Sequence, residues 1–153
     1  MGDLDVKYIA GLVDGEGHVS LSGQWVNRPY GRQRYWQTKP SFSICMDMRA
    51  AVLLSTFRDW AKSIGANVSY TIYSYKSNKG RTYCKVATTG LRSAAIICRA
   101  LVPHLILKKA NAEMIIQYAD MRERASRKWN TKDLSLEMKL VSECKANNRA
   151  KAV

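Results

Sequence analysis

At 153 residues and 46% hydrophobic, the chain carries enough apolar material for one domain around one core, which excludes a disordered chain. Its 25 Lys+Arg against 12 Asp+Glu leave a net charge of +13. The acids are missing from two whole segments, 17–46 with four bases and 60–112 with nine, so the excess is localised and points to a polyanion, most commonly nucleic acid, over a generally basic solvated surface.

Taken in order, Leu4–Asp14 reads as an amphipathic helix, with Asp3 able to cap its start and Gly15 and Gly17 suited to its exit. Ala10 and Gly11 are small residues in its interior. A mid-helix Gly costs about 1 kcal/mol relative to Ala, so it wants a packing reason such as the close approach of another backbone. Asp14 and Glu16 sit at the helix C-terminus, where the partial negative charge disfavours carboxylates.

His18–Val26 alternates: His18, Ser20, Ser22 and Gln24 share a polar face, with Val19, Leu21 and Trp25 behind it. A loop with three arginines follows (Arg28, Arg32, Arg34), and Tyr35–Met46 returns as a strand. There Gln37, Lys39, Ser41 and Ser43 oppose Phe42 and Ile44, and Pro40 implies an edge or a local irregularity. Asp47 caps a helix running to about Ile64, which Gly65 ends. A second hairpin spans Val68–Tyr75 and Arg81–Thr88, turning at Ser77–Gly80. Its expected register puts Ser69, Thr71, Tyr73 and Tyr75 on one face opposite Arg81, Tyr83 and Lys85. Helices are expected over Leu91–Leu101, which Pro103 breaks, over Leu105–Arg124, and from Thr131 or Asp133 to about Ala146.

The apolar run Ala94–Cys98 stops at Arg99, far too short to cross a bilayer, and no secretory signal is visible. Cys45, Cys84, Cys98 and Cys144 are scattered with no C-x-x-C pair, which argues against a structural zinc site. The expectation is a reduced protein of the cytoplasm or an organelle matrix, neither secreted nor membrane-bound, with no small-molecule cofactor.

The string Ile9-Ala10-Gly11-Leu12-Val13-Asp14-Gly15-Glu16-Gly17 resembles the LAGLIDADG motif of homing endonucleases and related intron maturases. Ala10, Gly11, Leu12, Asp14 and Gly17 are identical to it; Ile9, Val13, Gly15 and Glu16 replace Leu, Ile, Ala and Asp. The resemblance extends to the element order αββαββα over about residues 4–120, with a C-terminal helical extension over about 121–146. It implies an α+β fold with an antiparallel, saddle-shaped sheet and helices on one face, in a single endonuclease domain over 1–153.

The resemblance also implies an activity: site-specific, double-strand cleavage of DNA at a long pseudo-palindromic site, as in intron homing. Only one motif is present, and single-motif members act as homodimers, so the first helix would meet its mate through Ile9, Ala10, Gly11 and Val13. Glu16, with the Gly15 carbonyl, would hold Mg²⁺, with Mn²⁺ able to substitute, and Asp14 would orient the helix ends. Lys108, after Pro103-His104-Leu105-Ile106-Leu107, matches the family's active-site lysine, with Lys109 as the alternate. The family's polar residue at the end of the second strand falls on Met46, which cannot serve; Asp47 and Arg49 are the neighbouring candidates. DNA would be read by Ser20, Ser22, Gln24, Gln37, Lys39, Ser41, Ser43, Ser69, Thr71, Tyr73, Tyr75, Arg81, Tyr83 and Lys85, with Arg28, Arg32 and Arg34 from the loop. The alternatives are a maturase-like RNA-binding splicing cofactor and a catalytically silent DNA-binding relative.

Overall fold

A computed structural model describes residues 5–28, 33–74, 80–124 and 131–150, the side chains of 131–133 excepted. The expectations for Asp3, Leu4, Arg32 and Tyr75, and the turn residues 77–79, lie outside the described residues.

The first helix, α1 (Val6–Glu16), starts at Asp5, whose carboxylate accepts from Lys7 N at 3.0 Å. It leads without a loop into β1 (Gly17–Asn27), which pairs with β2 (Arg34–Asp47). A single 3₁₀ turn (Met48–Ala50), capped by Asp47 as expected, opens α2 (Ala51–Ser63). The second hairpin is β3 (Val68–Ser74) and β4 (Thr82–Thr88), and Gly80 before β4 adopts φ 75°. Then come α3 (Leu91–Leu101), α4 (Lys109–Arg124) and α5 (Thr131–Ala150).

The strands form one antiparallel sheet in the order β1-β2-β4-β3. Period-2 alternation splits it into two faces. Val19, Leu21, Phe42, Ile44, Cys84 and Val86 point at the helices and are buried. They pack with Ile9, Ala10 and Val13 of α1, Phe57 of α2, Ile97 and Leu101 of α3 and Ile115 of α4 in one cluster. Phe42 and Phe57 stack across the layers with ring centroids 6.1 Å apart. The four cysteines are free, and burial pushes the Cys98 thiol up to about 12.

Two features of the long hairpin have clear physical causes. Gly23 lies under the Trp36 ring: a Cβ there would sit 2.1 Å from Trp36 Cζ2, so no other residue fits without moving the indole. Leu21 N donates outward to Cys144 Sγ at 3.1 Å, so α5 covers part of the β1 edge. Leu21 is therefore not bonded to its partner Pro40, whose nitrogen faces away from β1. On that side β4 pairs only with residues 43–47 of β2, so the proline interrupts no ladder.

Buried polar groups tie the C-terminal helices to this hairpin. Asn111 Nδ2 donates to Val19 O at 2.9 Å and to Asn148 Oδ1 at 2.7 Å, while its Oδ1 accepts from Asn147 Nδ2 at 3.2 Å. Fully buried Glu137 accepts from Thr38 Oγ1 at 2.8 Å, and the Thr38 hydroxyl in turn accepts from Trp36 Nε1 at 2.9 Å. These bonds anchor α5, which runs to Ala150, four residues beyond the end expected from its pattern.

Candidate functional site

The end of α1 is held by a segment 92 residues later in the chain. Both oxygens of Asp14 accept backbone amides: Oδ2 from Ile106 N at 2.7 Å and Oδ1 from Lys108 N at 2.9 Å. Lys108 Nζ returns to α1, donating to Val13 O at 2.8 Å and Asp14 O at 2.6 Å. An ammonium on the last carbonyls of a helix opposes the partial negative charge that gathers there. This exchange is why α4 starts at Lys109 and not at Leu105. The amides of Ile106 and Lys108 are drawn to Asp14, and Ile106 and Leu107 are exposed despite their helical spacing. We expect Asp14→Ala to cost about 2 kcal/mol, two charge-assisted bonds discounted for partial exposure. A denaturant melt checks it, and an unchanged midpoint would show that the clasp adds nothing.

Glu16, the last residue of α1, is exposed, and Gly15 beside it is exposed too. His18, two residues on, sits on the sheet face turned away from the helices, with Nε2 2.9 Å from Ser20 Oγ. Burial, with Lys85 and Lys108 adding repulsion, holds its imidazole below the usual range, so it is neutral at pH 7. Two lysines therefore stand near the imidazole beside Glu16. Met46 faces the opposite way: it pairs with Cys84 and packs against the core, so it supplies nothing polar here. Asp47 is on the outer face, its Oδ1 accepting from Arg49 N and Nε, both at 3.0 Å. Those bonds hold its carboxyl below the ordinary range.

The outward face reads across the strands as His18 with Ser43, Ser20 with Ser41, Ser22 with Lys39 and Gln24 with Gln37. It continues as Cys45 with Lys85 and Thr71, and Tyr83 with Tyr73. Ser69 pairs with Ala87 on the same face, and exposed Arg81 precedes β4. Among the described residues, the polar faces expected for the first hairpin and the facing of Thr71 and Tyr73 with Lys85 and Tyr83 expected for the second are the ones observed. Three residues differ in their setting. Ser20 and Ser43 are buried within the face, and Arg34 falls on the helix-side parity, where its Nε donates to Asn27 Oδ1 at 3.2 Å. Arg28 lies just past β1, exposed.

No protein-family model and no curated protein matches the chain; solved structures do. I-CvuI, a homing endonuclease in complex with its target in the presence of Ca, superposes at TM-score 0.61 and 22% identity, over 93% of this chain and 80% of that one. The homing endonuclease I-TnaI gives TM-score 0.63 at 17% identity, over 99% and 98%. The LAGLIDADG homing endonuclease I-GzeII, in complex with a DNA target, gives 0.65 at 19% identity. The fold is that of the LAGLIDADG homing endonucleases. Within that fold the nine-residue motif forms α1 and the first residue of β1, and the polar sheet face is the one turned away from the helices. Our chain covers 90% of its own length but only 44% of I-GzeII, so one copy corresponds to about half of that LAGLIDADG protein.

The expected pairing surface of α1 needs correction. Ile9, Ala10 and Val13 are fully buried in the chain's own core and cannot meet a second helix. Of the four expected residues, only Gly11 is exposed. The outer stripe is instead Tyr8, Gly11, Leu12 and Gly15, at helical spacing, with exposed Ile106 and Leu107 following on the segment that Asp14 holds. A Cβ built on Gly11 or Gly15 meets nothing within 4 Å, so none of the described residues packs closely enough to require glycine at either position. The sequence reading also gave no role to Asn111, Thr38 or Glu137, because their long-range partners are 36 to 99 residues distant and leave no local pattern.

The donor set suits a hard divalent cation, because Glu16 and the Gly15 carbonyl offer only oxygen. Among the described residues no three of His, Cys, Asp and Glu gather as a metal cage. One chain thus supplies one exposed carboxylate at this point, and further ligands would have to come from a second copy, water and phosphate.

Proposed function

We propose that the protein is a homodimeric, Mg²⁺-dependent endonuclease that cuts double-stranded DNA at a long pseudo-palindromic site, the activity of intron homing. The observation that carries this reading is the exposed Glu16 carboxylate, at the end of α1 and at the head of a polar strand face. The DNA-bound relatives support it, and I-CvuI was crystallised in the presence of Ca or Mg. The 44% coverage of I-GzeII supports two copies per active unit.

In this reading β1, 11 residues at about 3.3 Å each, runs about 36 Å along the duplex, one helical turn per copy. Ser22, Gln24, Gln37 and Lys39 face base edges and phosphates, and two-fold symmetry makes the site a near-palindrome. Two α1 helices meet through Gly11 and Gly15, which brings a Glu16 from each copy to the scissile phosphates. Glu16 and the Gly15 carbonyl hold Mg²⁺ or Mn²⁺, which when bound supplies charge neutralisation at the phosphate and a more acidic water. Lys108 fixes the helix end through Val13 O and Asp14 O and keeps a positive charge beside the phosphate.

Cleavage of a cognate duplex tests this directly. Both strands should be cut with Mg²⁺ or Mn²⁺ and neither with EDTA. The orientation of Met46 favours one second reading, a DNA- or RNA-binding relative without catalysis. Tight binding with no cleavage under Mg²⁺ or Mn²⁺ would select it.

A further inference from the structure

One patch of the polar sheet face is not polar. Tyr73 belongs to β3 and Cys45 to β2, with β4 between them, so their backbones are two interstrand steps apart, about 9.6 Å. Yet Tyr73 Oη lies 2.6 Å from Cys45 Sγ. The Tyr73 side chain therefore lies down across β4 instead of standing off the sheet. Its ring stacks on that of Tyr83, centroids 5.9 Å apart and planes 24° from parallel. On this face the next pair along the two strands is Thr71 on β3 with Lys85 on β4.

This geometry changes what Tyr73 can offer a ligand. Its hydroxyl is engaged with the thiol, so the ring is the surface it presents. Tyr73, Tyr83 and Cys45 are all partly exposed, so the floor is open to contact. The major-groove edge of a base pair carries one apolar group, the C5-methyl of thymine, and every other recognition atom there is a donor or acceptor. The stacked faces of the two rings, set among serines and lysines, match that group.

We propose that the Tyr73–Tyr83 floor is a specificity-determining surface that receives the C5-methyl of a pyrimidine in the DNA major groove. It rests on the reading of the polar face as a DNA interface. Thymine and 5-methylcytosine both carry the methyl, and the test separates them from readout of the thymine carbonyl.

The full-length chain is first used to select a duplex from a random-sequence pool, and each thymine is then replaced singly by deoxyuridine. At one thymine per half-site, binding should weaken about fourfold, the worth of one buried methyl group. Replacing that T·A pair by C·G should weaken binding, and 5-methylcytosine in place of the cytosine should restore about fourfold. Tyr73→Ala and, separately, Tyr83→Leu should abolish the deoxyuridine effect while other positions keep their preferences. Failure to enrich any duplex would overturn the DNA interface and this inference together. A flat deoxyuridine scan by a chain that does select a target would overturn this inference alone. So would a methyl effect that survives in both variants.

Discussion

Glu16→Gln is expected to lower the rate of phosphodiester cleavage by on the order of a thousandfold, with the fold and the target affinity nearly unchanged. The carboxylate is exposed at the last residue of α1, so replacing one oxygen by an amide removes charge without opening a cavity. The amide is a poor ligand for Mg²⁺, and it cannot balance the ion's charge. Near a polyanion the loss of a negative charge does not weaken attraction, so affinity should hold or rise slightly. Single-turnover cleavage measured beside fluorescence anisotropy separates the two effects. Wild-type cleavage by the variant would remove Glu16 from the chemistry. Equal loss of binding and cutting would make it a binding residue instead.

The second large effect is at Gly11, where Gly11→Leu should act with opposite signs on the chain and on its dimer. Within the chain a Cβ at this position meets nothing within 4 Å, and the helix gains about 0.8–1 kcal/mol on losing glycine. In a two-fold helix pair the substitution occurs twice, each copy costing roughly 1–3 kcal/mol of overpacking. Self-association should therefore weaken by at least about thirtyfold while the melting temperature of the isolated chain rises. Light scattering and a thermal melt at low concentration check both halves. A variant that stays dimeric would place the interface elsewhere than the outer stripe of α1.

Element order, both hairpins and the polar strand face were legible because each rests on a local repeat. Alternation at period two marks β1 and β2, and Asp47 and Gly65 bracket the α2 region. Errors arose where a local pattern has two readings. Helix α1 has two faces that carry small or apolar residues, Ile9-Ala10-Val13 and Tyr8-Gly11-Leu12-Gly15, and periodicity alone does not say which one turns inward. The start of α4 was set too early because Leu105, Ile106 and Leu107 look like a first turn. The carboxylate that draws the Ile106 and Lys108 amides away belongs to Asp14, far back in the chain. Asp5 caps α1, in a sequence that carries two acids two residues apart at this point. The Tyr73–Cys45 contact was illegible for the same reason as the Asn111 and Glu137 bonds: only the folded sheet brings the partners together.

The clasp at Asp14 implies that the two acids of the motif obey different rules of replacement. Both oxygens at position 14 are fixed by amides at 2.7 and 2.9 Å. A side chain longer by one methylene would push the two segments apart, so this position selects for length. At position 16 the carboxylate projects from the helix end into open space, and the extra methylene of glutamate is accommodated without moving the backbone. Position 16 selects for charge and tolerates reach. Variation in the motif should accordingly be lopsided: glutamate is compatible with the second acid and excluded from the first.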